Sequence, residues 1–400
     1  MTRFEALKAR EEKLLCRTYG RYPVSVSRAK GSKMWDVDGK EYLDLLSGIA
    51  VTALGHCNEE LAEVIGEQAK KLIHVSNLFY QEEQLDLAER LLKTCHMDKV
   101  FFCNSGAEAN EAAIKIARRY QQRIKNTERY EIITFSHAFH GRTLATLAAT
   151  GQEKYLDGFS PKTDGFVQVA WHDIEALKKA VTDKTAAVLI EIIQGEGGVN
   201  CLSPEYVEQV QELCRKNGIL FMVDEVQAGL CRSGKWWAFQ HYDVRPDVIT
   251  NAKALANGLP LGCMMTTDEI AKAFVPGSHA TTFGGGALVT KAGAKVLEIM
   301  ERDKLAERAE HLGNYLETNI MALKSPWIKE VRGFGLLRGI QLTCSEESAK
   351  TLWNSLIEEG IVINLTQGTV LRLLPALTIS EQELGHFIQI LDKLLKRIEK

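Results

Sequence analysis

The distribution of apolar positions divides the middle of the chain into short strand-like and longer helix-like segments. Residues 218–223 and 247–252 are apolar runs that end in polar side chains, Asp224 after the first and Lys253 after the second. Runs of this kind are typical of buried strands. Three further strand candidates occupy residues 100–103, 130–135 and 185–193.

Helical segments separate these runs, and one of them is clearly delimited. Ser203 can cap a helix, Pro204 suits its first turn, and Gly218 follows its end. Continuous apolar strands that alternate with helices indicate a mostly parallel sheet covered on both faces. The carboxyl ends of such strands meet at one edge, where open α/β sheets bind their ligands.

The two ends of the chain have a different pattern. Residues 34–42 predict a β-hairpin with its turn at Asp38 and Gly39. Towards the carboxyl terminus, strands are predicted at 333–342, 361–364 and 369–373, and a final helix from Glu381. We therefore expect a large domain at 51–294 and a small domain built from 1–50 and 295–400.

Composition narrows the classes of function. The 400 residues are 45% hydrophobic and 25% charged, with a net charge of −3 from 49 basic and 52 acidic residues. This balance gives no reason to expect a nucleic acid or a membrane as partner. The nine cysteines are scattered without a metal-binding spacing, and the first residues carry charges throughout. We expect a cytoplasmic protein.

Asp224 and Lys253 together suggest a specific chemistry. A carboxylate at one strand end and an amine at the next suit a pyridine cofactor, pyridoxal 5'-phosphate (PLP). The acid keeps the ring nitrogen protonated, and the amine binds the aldehyde covalently. A lysine that merely caps a strand end is the alternative.

Two segments are candidates for binding the phosphate of that cofactor. Ser105, Gly106 and Ala107 join a predicted strand to a helix that starts near Glu108, where free amides and the helix dipole attract anions. Simple capping of the helix by Ser105 is the alternative. The second segment, residues 279–286, places two threonines before three glycines, a pattern that also fits a flexible turn.

Two other segments resemble known binding motifs but lack a residue that each motif requires. Residues 229–235 resemble a P-loop, but Trp236 stands where a Ser or Thr must bind magnesium. His137 and His140 lack the glutamate of a helical zinc motif, so we interpret them as loop or core residues and predict no metal site.

At these positions the chain resembles the class III, fold type I PLP-dependent aminotransferases over nearly its whole length. The segments that carry the resemblance are residues 102–113, 139–145, 191–198, 223–229, 252–255 and 281–285. The resemblance implies an α/β fold, in which a large domain with a central, mostly parallel sheet adjoins a small α+β domain from both termini.

The resemblance also assigns residues to the cofactor. Lys253 would bind PLP and then move a proton between carbon atoms, and Asp224 would pair with the ring nitrogen. Gln227 would bond the ring hydroxyl, with Val226 and Phe139 on the two ring faces. The remaining cofactor contacts are assigned to Ser105, Gly106, Ala107, Glu225 and Thr282. In this family the threonine comes from the other subunit, so a homodimer with shared active sites is implied.

Substrate residues follow from the same resemblance. Segments 48–56 and 139–143 are most similar to members that transfer the δ-amino group of N2-acetyl-L-ornithine to 2-oxoglutarate, in arginine biosynthesis. Arg142, with Thr281 nearby and Tyr19 lining the pocket, would bind the distant donor carboxylate. Arg372 would bind the α-carboxylate of glutamate, and Glu196 would pair with Arg372 when the donor is bound.

Several alternatives remain open at this point. Other donors are ornithine, succinylornithine, N-succinyl-diaminopimelate and 4-aminobutyrate. A different reaction class is an aminomutase of the same fold, which needs no second acceptor. A binding or regulatory protein without turnover is a third possibility, which the presence of Lys253, Asp224, Arg142 and Arg372 disfavours.

Overall fold

A computed structural model describes residues 2–398 of the chain. The α-helices span Arg3–Leu14 (α1), Ser47–Ala50 (α2), Glu59–Lys71 (α3), Glu82–Leu92 (α4), Gly106–Arg119 (α5), Leu144–Ala149 (α6), Ile174–Ala180 (α7), Pro204–Asn217 (α8), Asp268–Ala271 (α9), Ala287–Arg302 (α10), Leu305–Ala322 (α11), Glu346–Glu358 (α12) and Glu381–Ile398 (α13). The strands span Val26–Lys30 (β1), Lys33–Asp36 (β2), Glu41–Asp44 (β3), Lys99–Cys103 (β4), Glu131–Phe135 (β5), Phe166–Val169 (β6), Thr185–Ile190 (β7), Ile193–Gln194 (β8), Asn200–Cys201 (β9), Leu220–Asp224 (β10), Val248–Asn251 (β11), Gly262–Thr266 (β12), Ile328–Phe334 (β13), Leu337–Leu342 (β14), Ile361–Val362 (β15), Asn364–Thr366 (β16) and Val370–Leu373 (β17).

A seven-stranded sheet forms the centre of the molecule, with the strand order β4-β12-β11-β10-β7-β5-β6. Only β12 runs antiparallel to its neighbours. Every residue of β7, β10 and β11 is buried, which explains why these strands are continuously apolar rather than alternating. The predicted fold class is confirmed, and the ends of β4, β10 and β11 lie along one edge.

Two capped helices flank this edge. The hydroxyl of Ser203 accepts from the amide of Tyr206 at the start of α8, and Gly218 ends that helix in the left-handed conformation, as predicted. Helix α5 begins at Gly106, two residues earlier than predicted, because Ser105 rather than a later residue is its N-cap.

Smaller sheets bring the two ends of the chain together. The hairpin predicted at 34–42 is present, since β2 and β3 pair with Trp35 opposite Glu41. Strand β15, from the carboxyl-terminal part, adds to the same sheet beside β3. The division at residues 50 and 294 stays a prediction.

One predicted strand was wrong. Residues 333–342 are not one strand but parts of β13 and β14, which form an antiparallel hairpin. The chain reverses at Gly335, where φ is +51° and an added Cβ would lie 2.5 Å from the main-chain carbon of Ser233. Apolar residues on both sides of Gly335 hid this turn from the sequence pattern.

Helices long and apolar enough to cross a membrane are absent from the part of the chain that the structure describes. All nine cysteines are free thiols, among them the buried Cys103 and Cys214.

Candidate active site

A cavity of about 400 Å³ opens at the carboxyl edge of the central sheet. The start of α5, the ends of β10 and β11, and the loops after β5 and β7 surround it. The predicted site residues that line it are Ser105, Gly106, Ala107, Phe139, Arg142, Glu196, Asp224, Val226, Gln227 and Lys253. Segments separated by about 150 residues of sequence thus supply one site.

Asp224 ends β10 and is held by three neighbours. Its Oδ2 accepts from Nδ2 of Asn110 at 2.7 Å and lies 2.8 Å from Nδ1 of His140, while Oδ1 accepts from the amide of Val226 at 2.9 Å. A carboxylate has room for about four hydrogen bonds. One acceptor position therefore remains for a donor in the cavity.

The histidine at position 140, predicted to be a loop or core residue, lies in the core next to Asp224. It is buried, and its Nε2 has no partner among the described residues, whereas Nδ1 faces Asp224. A hydrogen bond from Nδ1 to Asp224 fits both observations, because a proton on Nε2 would be buried without an acceptor. His140 is therefore a core residue that contacts the central acid of the site.

Lys253 lies two residues beyond β11, at the first residue of a short 3₁₀ turn. Its φ of +38° is left-handed, an unusual conformation for a lysine, and the residue lines the cavity. Burial lowers the pKa of its amine, and the positive charge of Arg372 acts in the same direction, whereas Glu196 and Asp224 oppose it. The lowered pKa favours the neutral, nucleophilic form of the amine.

The start of α5 forms the floor of the cavity. The amides of its first residues, Gly106 and Ala107, have no acceptor within the helix, as at any helix start. A Cβ on Gly106 would lie 2.7 Å from a methyl group of Val226, so only glycine fits there. The Ser105 hydroxyl accepts from the amide of Glu108, so the capping alternative is realised beside an anion-binding position.

Arg372 and Glu196 form an ion pair at the side of the cavity. Nη1 of Arg372 donates to Glu196 at 2.7 Å and to Oε1 of Gln227 at 3.0 Å. Arg372 is almost fully buried (1% exposed), while the Glu196 side chain is 24% exposed. A buried guanidinium group needs a negative partner, and Glu196 is that partner here.

Arg142 is the second cation of the site and has different surroundings. Its guanidinium lies 3.8 Å from the ring centre of Tyr155 and 5.6 Å from that of Phe139. Within residues 2–398, no carboxylate forms an ion pair with it. The aromatic contacts orient the cation and leave its hydrogen-bond donors available.

Five predicted residues lie outside the cavity lining, and one of them, Arg372, adjoins it through its hydrogen bonds to Glu196 and Gln227. The Glu225 carboxylate accepts from the amides of Ala238 and Phe239, because successive strand side chains point to opposite faces, so its predicted cofactor contact is not supported. Thr281 accepts from Nδ2 of Asn104, whose side chain lines the cavity. Thr282 and Tyr19 are exposed.

Sequence reasoning missed several residues that support the site. Asn110 donates to Asp224 and accepts from the hydroxyl of Thr250. Glu191 accepts from the amide of Phe139, and burial together with the Asp224 charge raises its pKa well above the usual range. The available signal for Asn110 was a polar residue among the buried alanines of α5.

These residues fit pyridoxal phosphate. An amine with a lowered pKa, an acid with one unused acceptor position, a helix start with free amides, and two apolar side chains face one cavity. Each group matches a different part of the cofactor: aldehyde, ring nitrogen, phosphate and ring faces.

Comparison with known proteins gives the class. Residues 15–395 match the family Aminotransferase class-III, and the chain belongs to this family of PLP-dependent aminotransferases.

Curated relatives and solved structures agree with this class. The acetylornithine aminotransferase of Methanocaldococcus jannaschii is 45% identical over 98% of both chains, and that of Caldanaerobacter subterraneus subsp. tengcongensis is 44% identical over 97% of this chain and 98% of its own. The ornithine aminotransferase structure from Toxoplasma gondii superimposes with a TM-score of 0.95 at 32% identity, covering 100% of this chain and 96% of its own. The acetylornithine aminotransferase from Elizabethkingia anophelis gives 0.89 at 33%, covering 99% and 100%.

Proposed function

We propose that the enzyme transfers the δ-amino group of N2-acetyl-L-ornithine to 2-oxoglutarate, forming N-acetyl-L-glutamate 5-semialdehyde and L-glutamate. The observation that carries this proposal is a pair of arginines: Arg142 lines the cavity with no ion pair among the described residues, and Arg372 is paired with Glu196 of the cavity lining. The curated relatives with 44–45% identity act, by their names, on acetylornithine.

The cofactor would be held by the residues that line the cavity. PLP supplies an electron sink for the bonds at the amino-bearing carbon. Asp224 accepts a hydrogen bond at its remaining acceptor position, and the amides of Gly106 and Ala107 bind an anionic group. Val226 and Phe139 exclude water from two sides, and Gln227 offers its amide donor because Oε1 is occupied by Arg372.

Lys253 is the residue that we expect to move protons. A general base needs a pKa near the working pH, and burial shifts this amine in that direction. Its Nζ would take a proton from the amino-bearing carbon of the substrate and hold it for transfer to another carbon atom. A purely structural role for Lys253 does not explain why an amine is buried near Asp224.

Two arginines separate the two substrates. The donor reacts at its far amine, so its carboxylate lies distant from the reacting carbon, where Arg142 binds it. Glutamate reacts at the carbon that bears its carboxylate, which Arg372 binds at close range. Glu196 neutralises Arg372 while the donor is bound and turns outward for glutamate; its 24% exposure leaves room for that movement.

An uncharged α-nitrogen on the donor also suits the cavity. Of the described residues lining it, three are acidic, and each has a partner already: Asp224 with His140, Glu196 with Arg372, and Glu191 with an amide. A free α-ammonium group would lack a counter-charge there. This favours an acylated donor over free ornithine, the substrate named for the Toxoplasma gondii structure.

A homodimer in the cytoplasm completes the proposal. Large apolar side chains are exposed in one stretch, Leu78, Phe79 and Tyr80, and again at Phe283. Burial of this surface by a second copy would bring the exposed Thr282 towards the cavity of the partner subunit. Light scattering should give about twice the chain mass of 44.6 kDa.

Free thiols at all nine cysteines suit a reducing compartment.

The test measures single-turnover half-reactions with a panel of amino donors. The absorbance of the bound cofactor reports the rate of each reaction. N2-acetyl-L-ornithine should react fastest, ahead of ornithine, succinylornithine, N-succinyl-diaminopimelate and 4-aminobutyrate. A clear preference for ornithine or 4-aminobutyrate would show that the donor is misassigned. Steady turnover without 2-oxoglutarate would indicate an aminomutase instead.

A further inference from the structure

Arg372 has a third polar neighbour, Asn364, whose role is not covered by the ion pair. Strands β16 and β17 are antiparallel, and Asn364 lies directly opposite Arg372. Nε of Arg372 donates to Oδ1 of Asn364 at 3.1 Å. Because an arginine can only donate, the amide oxygen must face it, and this leaves the Nδ2 group of Asn364 pointing the other way.

That Nδ2 group is fixed by the amino-terminal segment. It donates to the hydroxyl of Tyr22 at 3.1 Å. The Tyr22 ring packs edge-on against Trp353, with ring centres 4.8 Å apart, and the Trp353 indole donates to the carbonyl of Ile363 at 2.7 Å. The asparagine amide is therefore held on both sides and does not depend on Glu196.

Strand β16 and the residue that follows it also bind the main chain of Glu196. The carbonyl of Glu196 accepts from the hydroxyl of Thr366 at 3.1 Å and from Nε2 of Gln367 at 2.7 Å. At the preceding position, Gly195, an added Cβ would lie 2.0 Å from Oε1 of Gln227. The backbone around Glu196 is thus restrained, and the part free to move is its side chain.

We propose that Asn364 is a positioning residue that keeps the Arg372 guanidinium in place when Glu196 turns away, with Tyr22 fixing the orientation of the asparagine amide. This inference rests on the proposed role of Arg372 as the binding residue for the α-carboxylate of glutamate. A buried arginine without an anion would otherwise follow its departing partner, since an unpaired charge is costly to bury. A neutral acceptor holds the cation without competing for the incoming carboxylate.

One geometric consequence follows. Asn364 occupies Nε, so a carboxylate has to bind across the two terminal nitrogens, Nη1 and Nη2. When Glu196 leaves, one of the two N–H groups of Nη1 becomes available while the other still donates to Gln227, and Nη2 makes no hydrogen bond to any residue in the described part of the chain. The two terminal nitrogens form one of the bidentate edges that guanidinium groups offer to carboxylates.

The experiment measures by calorimetry how tightly the holoenzyme binds glutarate, an unreactive dicarboxylate. Single-turnover rates with each substrate are measured in parallel. Asn364→Leu removes the acceptor at similar volume and should weaken glutarate binding and raise KM for 2-oxoglutarate by roughly tenfold. The half-reaction with N2-acetyl-L-ornithine should change less than about twofold, since Arg142 binds that carboxylate. Tyr22→Phe is milder and should weaken glutarate binding by about threefold.

Asn319→Leu is the matched control. Asn319 is another half-buried asparagine, bonded to the carbonyl of Tyr315 on α11 and absent from the cavity lining, so glutarate binding should stay unchanged. Unaltered glutarate affinity in both Asn364→Leu and Tyr22→Phe would overturn the inference, as would equal losses in both half-reactions. If wild-type enzyme ignores N2-acetyl-L-ornithine but binds glutarate, the donor assignment fails while the role of Asn364 is still tested.

Discussion

The two charged regions of the cavity are built on opposite principles. Around Asp224, three neighbours within the core fix a carboxylate that is 5% exposed. Around Arg372, a buried cation is paired with Glu196, which belongs to a glycine-rich loop. The side chain of this glutamate is 24% exposed. The acid has no mobile partner, whereas the arginine has one partner that can leave.

This difference matches the two demands of a transaminase. The cofactor stays through both half-reactions, so the group that holds its ring nitrogen has to keep the same charge and position throughout. The substrate changes between half-reactions, so the group that recognises its α-carboxylate has to be switched. The comparison indicates that a charged group keeps its surroundings when its partners are buried with it, as at Asp224. When only the charged group is buried, as at Arg372, its exposed partner can be exchanged.

The largest effect is expected at Lys253, which lies between the two regions. Lys253→Ala removes the amine that moves protons and should lower the rates of both half-reactions by more than about 10³-fold. Melting temperature and oligomeric mass should stay near the wild-type values, because the alanine relieves a buried polar group. Assays with saturating cofactor and each substrate measure the rates; wild-type turnover in this variant is incompatible with the assignment.

The fixed region is tested by Asp224→Asn. An asparagine can offer one oxygen to Asn110 and His140, but its NH₂ group then faces the amide of Val226, donor against donor. Both half-reactions should slow to the same degree, by roughly 10²–10³-fold, because a charge of the reaction centre is lost. Single-turnover rates with both substrates give the ratio.

The control for that variant is Asp247→Asn. Asp247 also accepts from a main-chain amide, that of Phe221, but it lies at the start of β11 and does not line the cavity. Its substitution should leave both rates within about twofold of wild type. A change confined to one half-reaction in Asp224→Asn would contradict the permanent role of this acid.

The fixed region was the more predictable from sequence. Asp224 and Lys253 follow apolar strands directly, and parallel strands bring such ends to one edge. The residues that orient Asp224 were not predictable in this way: Asn110 is 114 positions away and His140 is 84. Their roles depend on helix and loop packing, which periodicity does not encode.

The switchable region was predictable only by resemblance. Arg372 and Glu196 are 176 positions apart, and no spacing rule links a glycine-rich loop to a carboxyl-terminal strand. Asn364 was missed because its effect arises from strand pairing after the turn that precedes β17. The incorrect prediction of one strand at residues 333–342 has a similar cause, since a turn at Gly335 decides the topology of β13 and β14.

A smaller effect tests the switchable region itself. Glu196→Gln removes the anion that competes for Arg372, so KM for 2-oxoglutarate should fall by roughly tenfold while the donor half-reaction slows. Glu317→Gln is the matched control, because Glu317 pairs at 2.6 Å with another buried arginine, Arg338, away from the cavity. If both half-reactions respond alike to Glu196→Gln, the glutamate is a fixed part of the site and the comparison fails.

The smallest expected effect is a shift in the pH dependence of activity, in which Glu196 acts on the amine of Lys253. Burial is the main cause of the lowered Lys253 pKa, and the negative charge of Glu196 opposes it. While the amine is free, activity should fall as the pH drops through that pKa, because the protonated form cannot accept a proton. Glu196→Gln removes the opposing charge and leaves Arg372 uncompensated, so the acid limb of the donor half-reaction should move to lower pH. Glu317→Gln should keep the wild-type profile; an acid limb that moves to higher pH in Glu196→Gln would mean that Glu196 does not act on this amine.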